Sequence, residues 1–198
     1  MEHKNYYVIF MAGGIGSRLW PISRTDKPKQ FLDMLNSGKT LIQWTYERFA
    51  RFIPKENIYV ITHSHYTDLV REQLPLLQPE NILQEPSRKN TAPCIAYASF
   101  KIWKKNPVAN IIFAPADHLV LDETAFTKVC LDALGFVAGH NALVTLGITP
   151  TRPDTGYGYI QFDTNRVMDE VYRVKTFTEK PNLELAKTFS ALRKFTAV

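Results

Sequence analysis

Met11-Ala12-Gly13-Gly14-Ile15-Gly16-Ser17-Arg18-Leu19-Trp20-Pro21, with Lys27-Pro28-Lys29-Gln30-Phe31 shortly beyond it, is the stretch that decides the fold. The apolar run from Tyr6 to Phe10 just ahead of it predicts a buried β-strand. Three glycines within four positions let the backbone turn tightly and expose its N–H groups, which suits a polyphosphate. Arg18 adds a planar donor fork, and Lys29 a mobile point charge one short loop later. Amides, a guanidinium and an ammonium converging on one anion outline a nucleoside triphosphate site.

Two better-known phosphate loops do not fit. A Walker loop needs Gly-Lys-Ser/Thr, whereas Gly16 is followed by Ser17-Arg18. A dinucleotide fingerprint needs a third glycine opening a long helix. Leu19 stands there instead, and Pro21 interrupts any such helix.

Around this loop the chain alternates strand and helix. Helical spacing runs over Thr40–Phe52, His65–Leu74, Thr91–Lys105 and Thr124–Ala138, with Pro54 and Pro75 closing the first two. Short apolar strands are expected at 57–62, 81–84, 110–114 and 142–148. Along the third helix, Ala92, Ile95, Ala96, Ser99, Ile102 and Trp103 form the expected inner face. Strands separated by helices of this length imply βαβ units and an α/β fold. The expectation is a Rossmann-like, mostly parallel sheet with helices on both faces. From Gly156 the period becomes two, in 156–162 and 171–177, with polar residues 163–169 between them. These predict an antiparallel extension, followed by a last helix over Asn182–Leu192 with Leu183, Ala186, Lys187 and Ser190 on successive turns.

At 198 residues and 45% hydrophobic composition, one substantial core and a single domain spanning 1–198 are expected. The net charge of +5 is modest and no Lys/Arg block dominates, so a small polyanion suits the local basic residues better than nucleic acid does. No segment approaches a membrane span. Cys94 and Cys130 lack metal or redox spacing and are expected as buried thiols in a reducing cytoplasm.

In open parallel sheets, ligands bind beyond the carboxyl ends of the strands. Three further loops fall at such ends. Glu85-Pro-Ser-Arg-Lys-Asn-Thr-Ala-Pro opens the third helix, with Asn90 or Thr91 as N-cap, and offers Glu85 and Arg88 to the edge of a base. Ala114-Pro-Ala-Asp-His places Asp117, which can hold Mg²⁺ against phosphate or simply shape a turn. Phe177-Thr-Glu-Lys-Pro presents Glu179 and Lys180. On an extended backbone these two point to opposite sides and make a poor ion pair with each other.

In this order and spacing, the chain resembles the sugar-1-phosphate nucleotidyltransferases, most closely the mannose-1-phosphate guanylyltransferases. Thr-Gly-Tyr-Gly-Tyr-Ile at 155–160 extends the match to about Ala186. The resemblance implies a reaction of GTP with mannose 1-phosphate, giving GDP-mannose and pyrophosphate. It implies that Ala12, Gly13, Gly14, Gly16 and Ser17 hold GTP, with Arg18 and Lys29 as catalytic cations. It further implies guanine reading by Glu85, Asn90 and Thr91, and Mg²⁺ on Asp117. Gly158, Glu179 and Lys180 would take mannose 1-phosphate. Members of that family continue to an Asn-Ser-Gly segment, a second metal-binding aspartate and a β-rich region. The domain is therefore expected to be incomplete at its C-terminus, with exposed edges favouring a homo-oligomer. Two readings stay open: a guanylyltransferase, or a nucleotide-binding module without catalysis. A different nucleotide or hexose-1-phosphate pair is the alternative within the first.

Overall fold

The computed structural model describes residues 2–16, 19–85, 87, 89–168, 170–192 and 194–197. The backbone folds as β1 (Tyr6–Met11), α1 (Leu41–Phe49), β2 (Ile58–Thr62), α2 (Thr67–Gln73), β3 (Ile82–Gln84), α3 (Thr91–Lys105), β4 (Asn110–Pro115) and α4 (Glu123–Gly139). Then follow β5 (Gly158–Met168), β6 (Val171–Glu179), α5 (Leu183–Ala191) and β7 (Phe195–Ala197). The chain divides into two compact units, Met1–Ala138 and Gly139–Val198.

In the first unit the four strands are parallel, in the order β3-β2-β1-β4. The chain steps from β1 to one side for β2 and β3, then returns to the other side for β4. The order therefore reverses at β1, and the glycine loop leaves the sheet at that switch point. Both faces of β1 are buried because alternate residues serve opposite layers. Tyr7 and Ile9 join Tyr59, Ile61 and Leu83 beneath Cys94, Ala98 and Ile102 of α3. On the other face Phe10 packs on Phe49 of α1, whose ring also meets Phe126 of α4 edge-on. Helices thus cover both faces, as expected. Strand starts are pinned by buried amides. Asn57 Nδ2 donates to the carbonyls of Lys4 and Tyr6, and Asn81 Nδ2 to those of Glu56 and Ile58.

Two expectations for α3 need correction. Its inner face is Cys94, Ala98 and Ile102; of the face expected, Ile102 is buried, whereas Ala92, Ala96 and Trp103 are exposed. Apolar side chains surround this helix, so period alone did not select a face; Phe100 and Trp103 point outward, 70% and 61% exposed. At its start, Asn90 is the N-cap residue, yet its side chain makes no capping bond.

In the second unit β5 and β6 form a long antiparallel hairpin, and β7 pairs on the other edge of β5. The polar residues from Asp163 onward continue β5 instead of forming a loop, with register shifts after Gln161. A small core gathers Tyr159, Ile160, Ala186 and Ala197, with Phe189 stacked on Phe195. Asn182 caps α5 by accepting from Leu185 N–H. That helix turns Ala186 inward while Leu183 and Lys187 stay exposed, which corrects the stripe expected for it. The strand expected at 142–148 does not form: only Ile148 is bridged, to Ala197. Leu143 is fully exposed and Ile148 is 65% exposed, so this run has neither ladder nor cover.

Candidate functional site

The glycine loop is tied to the sheet on both sides. Ala12 N–H donates to Ile61 O, and Ala116 N–H donates to Met11 O, so loop and β4 tip start in register. Gly16 has φ +65°, and a Cβ there would lie 2.1 Å from Ser23 Oγ and 3.1 Å from Lys29 N. Gly13 is held for a different reason: a Cβ on it would sit 3.0 Å from Glu85 Oε2. The loop therefore folds against the segment carrying Lys29 and beside the carboxylate of Glu85. Ser17 and Arg18 lie outside the described residues, as does Arg88.

Lys29 begins a short 3-10 turn whose buried Gln30 and Phe31 anchor it. Its ammonium lies 3.5 Å from Asp117 Oδ2, with both side chains about one-third exposed. The residues assigned to phosphate and to metal thus come together at the β4 tip. Beyond Asp117, Arg48 Nη2 donates to the His118 carbonyl, and Arg48 lies 3.6 Å from Glu123. Burial depresses the Arg48 pKa, and Glu123 works against that shift. His118 keeps solvent contact, yet desolvation by its neighbours lowers its pKa, with Lys29 and Arg48 acting the same way and Asp117 opposing.

Glu85 follows β3, its N–H donating to Thr62 O, and Cys94 of α3 hydrogen-bonds its carboxylate. Desolvation first, and Glu85 second, push the Cys94 thiol up to about 12. Burial pushes Cys130 to about 12 as well, with Arg48 opposing. Because the thiolate is the reactive form, neither cysteine should react with iodoacetamide at pH 8 until the protein unfolds. Mass spectrometry of native and denatured samples checks this; rapid native labelling of Cys94 would contradict its contact with Glu85. A thiol pKa raised on folding also fixes a sign. Its stabilising effect is complete below the unfolded thiol pKa of ~8.5 and is lost as pH climbs toward 12.

Asn90 and Thr91 are exposed at the start of α3. Asn90 has φ +67° and ψ −169°, a region that side chains rarely occupy. Capping does not use its side chain, so the structural reason offered by the sequence for this residue does not hold.

In the second unit Gly158 stands opposite Glu179 in the β5–β6 register, and the Phe177 ring fills the space a side chain on Gly158 would take. Lys180 corrects the expectation that it and Glu179 diverge. Its backbone has φ +42°, so the chain is no longer extended, and its ammonium pairs with the Glu179 carboxylate. Both side chains are about half exposed.

Sequence reasoning gave no task to Gln30, Thr62 or Arg48. Gln30 Nε2 donates to the carbonyls of Ala12 and Gly14, and Thr62 Oγ1 also donates to Ala12 O. Arg48 did leave a signal: it shares a helical stripe with Leu41, Thr45 and Phe49, an unusual place for a charge. Among the described residues, no group of three or more His, Cys, Asp or Glu side chains could hold a metal unaided. Among them, too, no helix is long and apolar enough to cross a membrane.

Known proteins resemble this chain over most of its length. The family model described as nucleotidyl transferase matches residues 7–195. A mannose-1-phosphate guanylyltransferase of Salmonella montevideo is 43% identical over 188 residues, covering 91% of this chain and 39% of the relative. Its counterpart from Escherichia coli K12 is 39% identical over 198 residues, covering 96% and 41%. The chain therefore spans about two fifths of the length of these curated relatives. A crystal structure from Thermus thermophilus, described as a mannose-1-phosphate geranyltransferase, superposes with a TM-score of 0.85 at 33% identity. It covers 98% of this chain and 55% of that one.

Proposed function

The chain belongs to the nucleotidyl transferase family, and from that premise we propose that it serves the transfer of GMP from GTP to mannose 1-phosphate. The products are GDP-mannose and pyrophosphate. One observation carries the nucleotide half of this reading. Lys29, paired with Asp117, stands against a loop of glycine amides at the sheet's switch point, with Glu85 beside Gly13.

The chemistry asks little of the protein beyond placement and charge. A phosphate oxygen of the sugar attacks the α-phosphorus of GTP, a P–O bond forms, and pyrophosphate leaves with the electron pair of the bond broken. The nucleophile is already an anion, so no general base is required. What remains is to align three groups in line and to offset their mutual repulsion. Loop amides and Lys29 supply fixed positive potential, and Arg18 is assigned to the same task. Glu85, Asn90 and Thr91 are assigned to guanine, whose ring N–H and amino group suit a carboxylate acceptor.

Magnesium fits the donor set. Mg²⁺ takes hard oxygens and is commonly held by one or two carboxylates together with substrate phosphates and water. Asp117 offers such a carboxylate, partly exposed at the strand tip. It would hold the ion, which supplies charge neutralisation to the phosphates when bound. A cytoplasmic setting suits two free, buried thiols.

Pyrophosphate release with GTP, Mg²⁺ and mannose 1-phosphate tests the reading, beside a GTP titration. Turnover with GTP above UTP, dTTP and CTP supports it. Tight GTP binding without turnover would reassign the chain as a binding module, and preference for another nucleotide would overturn the guanine assignment. On the sugar side, Lys180→Ala should raise the KM for mannose 1-phosphate far more than the KM for GTP. Equal effects on both would count against placing Lys180 on the sugar phosphate.

A further inference from the structure

We propose that Gln30 is the positioning residue of the phosphate loop: its side-chain amide sets which N–H groups of residues 12–16 face the anion. This rests on the nucleotide reading above and adds a residue to which that reading gives no role. Gln30 is only 4% exposed, and its Nε2 donates to Ala12 O at 2.9 Å and to Gly14 O at 3.1 Å. Both partners are carbonyl oxygens, so the amide nitrogen, and not its oxygen, must face them. The one cis peptide among the described residues is Trp20–Pro21, so the loop peptides are trans. Across a trans peptide, C=O and N–H point in opposite directions. Drawing the carbonyls of Ala12 and Gly14 toward Gln30 therefore turns the N–H groups of Gly13 and Ile15 away from it. Among the described residues, neither of these N–H groups donates to the protein. Two outward N–H groups can donate together to one anion. Gln30 fixes that pair from behind without touching the ligand.

A residue that merely held the loop together would weaken all ligands alike. A residue that aims amides at a polyphosphate should affect ligands in proportion to their phosphates. Calorimetric titration of the full chain with tripolyphosphate, GTP and GMP separates these cases. Gln30→Met, close in size but without donors, should weaken tripolyphosphate and GTP at least tenfold and GMP less than threefold. Equal losses across the three ligands, or none, would overturn the inference. Should this variant fold poorly, amide NMR of the unaltered protein decides: tripolyphosphate should shift the Gly13 and Ile15 N–H signals most within the loop. Unmoved signals in the presence of bound tripolyphosphate would overturn it equally. Binding of tripolyphosphate with no preference for GTP would leave Gln30 in its role and remove the nucleotide reading. Binding of neither would remove both.

Discussion

Lys29→Met should weaken GTP binding by roughly ten- to a hundredfold while moving the melting temperature by no more than about 4 °C. The two effects differ because the lysine has different partners in the two states. In the free protein it faces Asp117 at 3.5 Å with about a third of each side chain in solvent. Such a pair contributes about 0–1 kcal/mol to folding, and at this chain length each kcal/mol moves the midpoint by about 2–4 °C. Against a triphosphate the same ammonium makes charge-assisted bonds, worth about 1.5–3 kcal/mol each. In the pyrophosphate-release assay the rate should fall on the order of a hundredfold. Thermal melting and calorimetry on one sample check both halves. Unchanged affinity would show that Lys29 belongs only to its pair with Asp117.

Gly16→Ala should instead damage the fold first. A side chain at φ +65° costs about 1–2 kcal/mol. The new methyl would also meet Ser23 Oγ at 2.1 Å, and Ser23 is 1% exposed, with little room to retreat. Overpacking of this kind costs about 1–3 kcal/mol. Together they predict a melting temperature lower by roughly 4–20 °C. Removing the hydroxyl in the Gly16→Ala/Ser23→Ala pair should recover most of the overpacking part and leave the backbone part, since the tighter contacts to Lys29 N and Ser23 Cβ, at 3.1 and 3.2 Å, remain. Chemical denaturation of the four proteins in that cycle measures each share. A single variant as stable as the parent would mean that the loop does not hold this turn.

What could be read in advance was whatever is dictated locally. Tyr6 to Phe10 is apolar on both alternations, which suits a short strand buried on two faces, and the glycines after it break regular structure at once. The span of α3 was legible because an N-cap position and Pro93 mark its start. Which of its faces turns inward was not, since Ile95 and Trp103 are as apolar as Cys94 and Ala98 and only the sheet decides between them. The run at 142–148 misled for a related reason. Val144 and Ile148 favour a strand, but a strand also needs a neighbour to pair with. β7 is three residues long and exists through pairing with β5, a partner more than thirty residues away.

The site shows the same division. Asp117 could be named from its position at a strand end and Lys29 from its place one short loop after the glycines, though not their pairing, which requires β4 to lie beside β1. Lys180 read as extended because its neighbours alternate, whereas its left-handed backbone turns it onto Glu179. Gln30 read as part of a motif with no task. Its two bonds span sixteen and eighteen residues, a separation that no local pattern records.

A crystal of this protein soaked with GTP and Mg²⁺ tests the central claim most directly. Difference density should show the triphosphate along Gly13 to Gly16, within hydrogen-bond reach of the Lys29 ammonium, with guanine toward Glu85. Triphosphate density elsewhere on the sheet, with the Lys29–Asp117 pair undisturbed and the glycine amides bare, would contradict it.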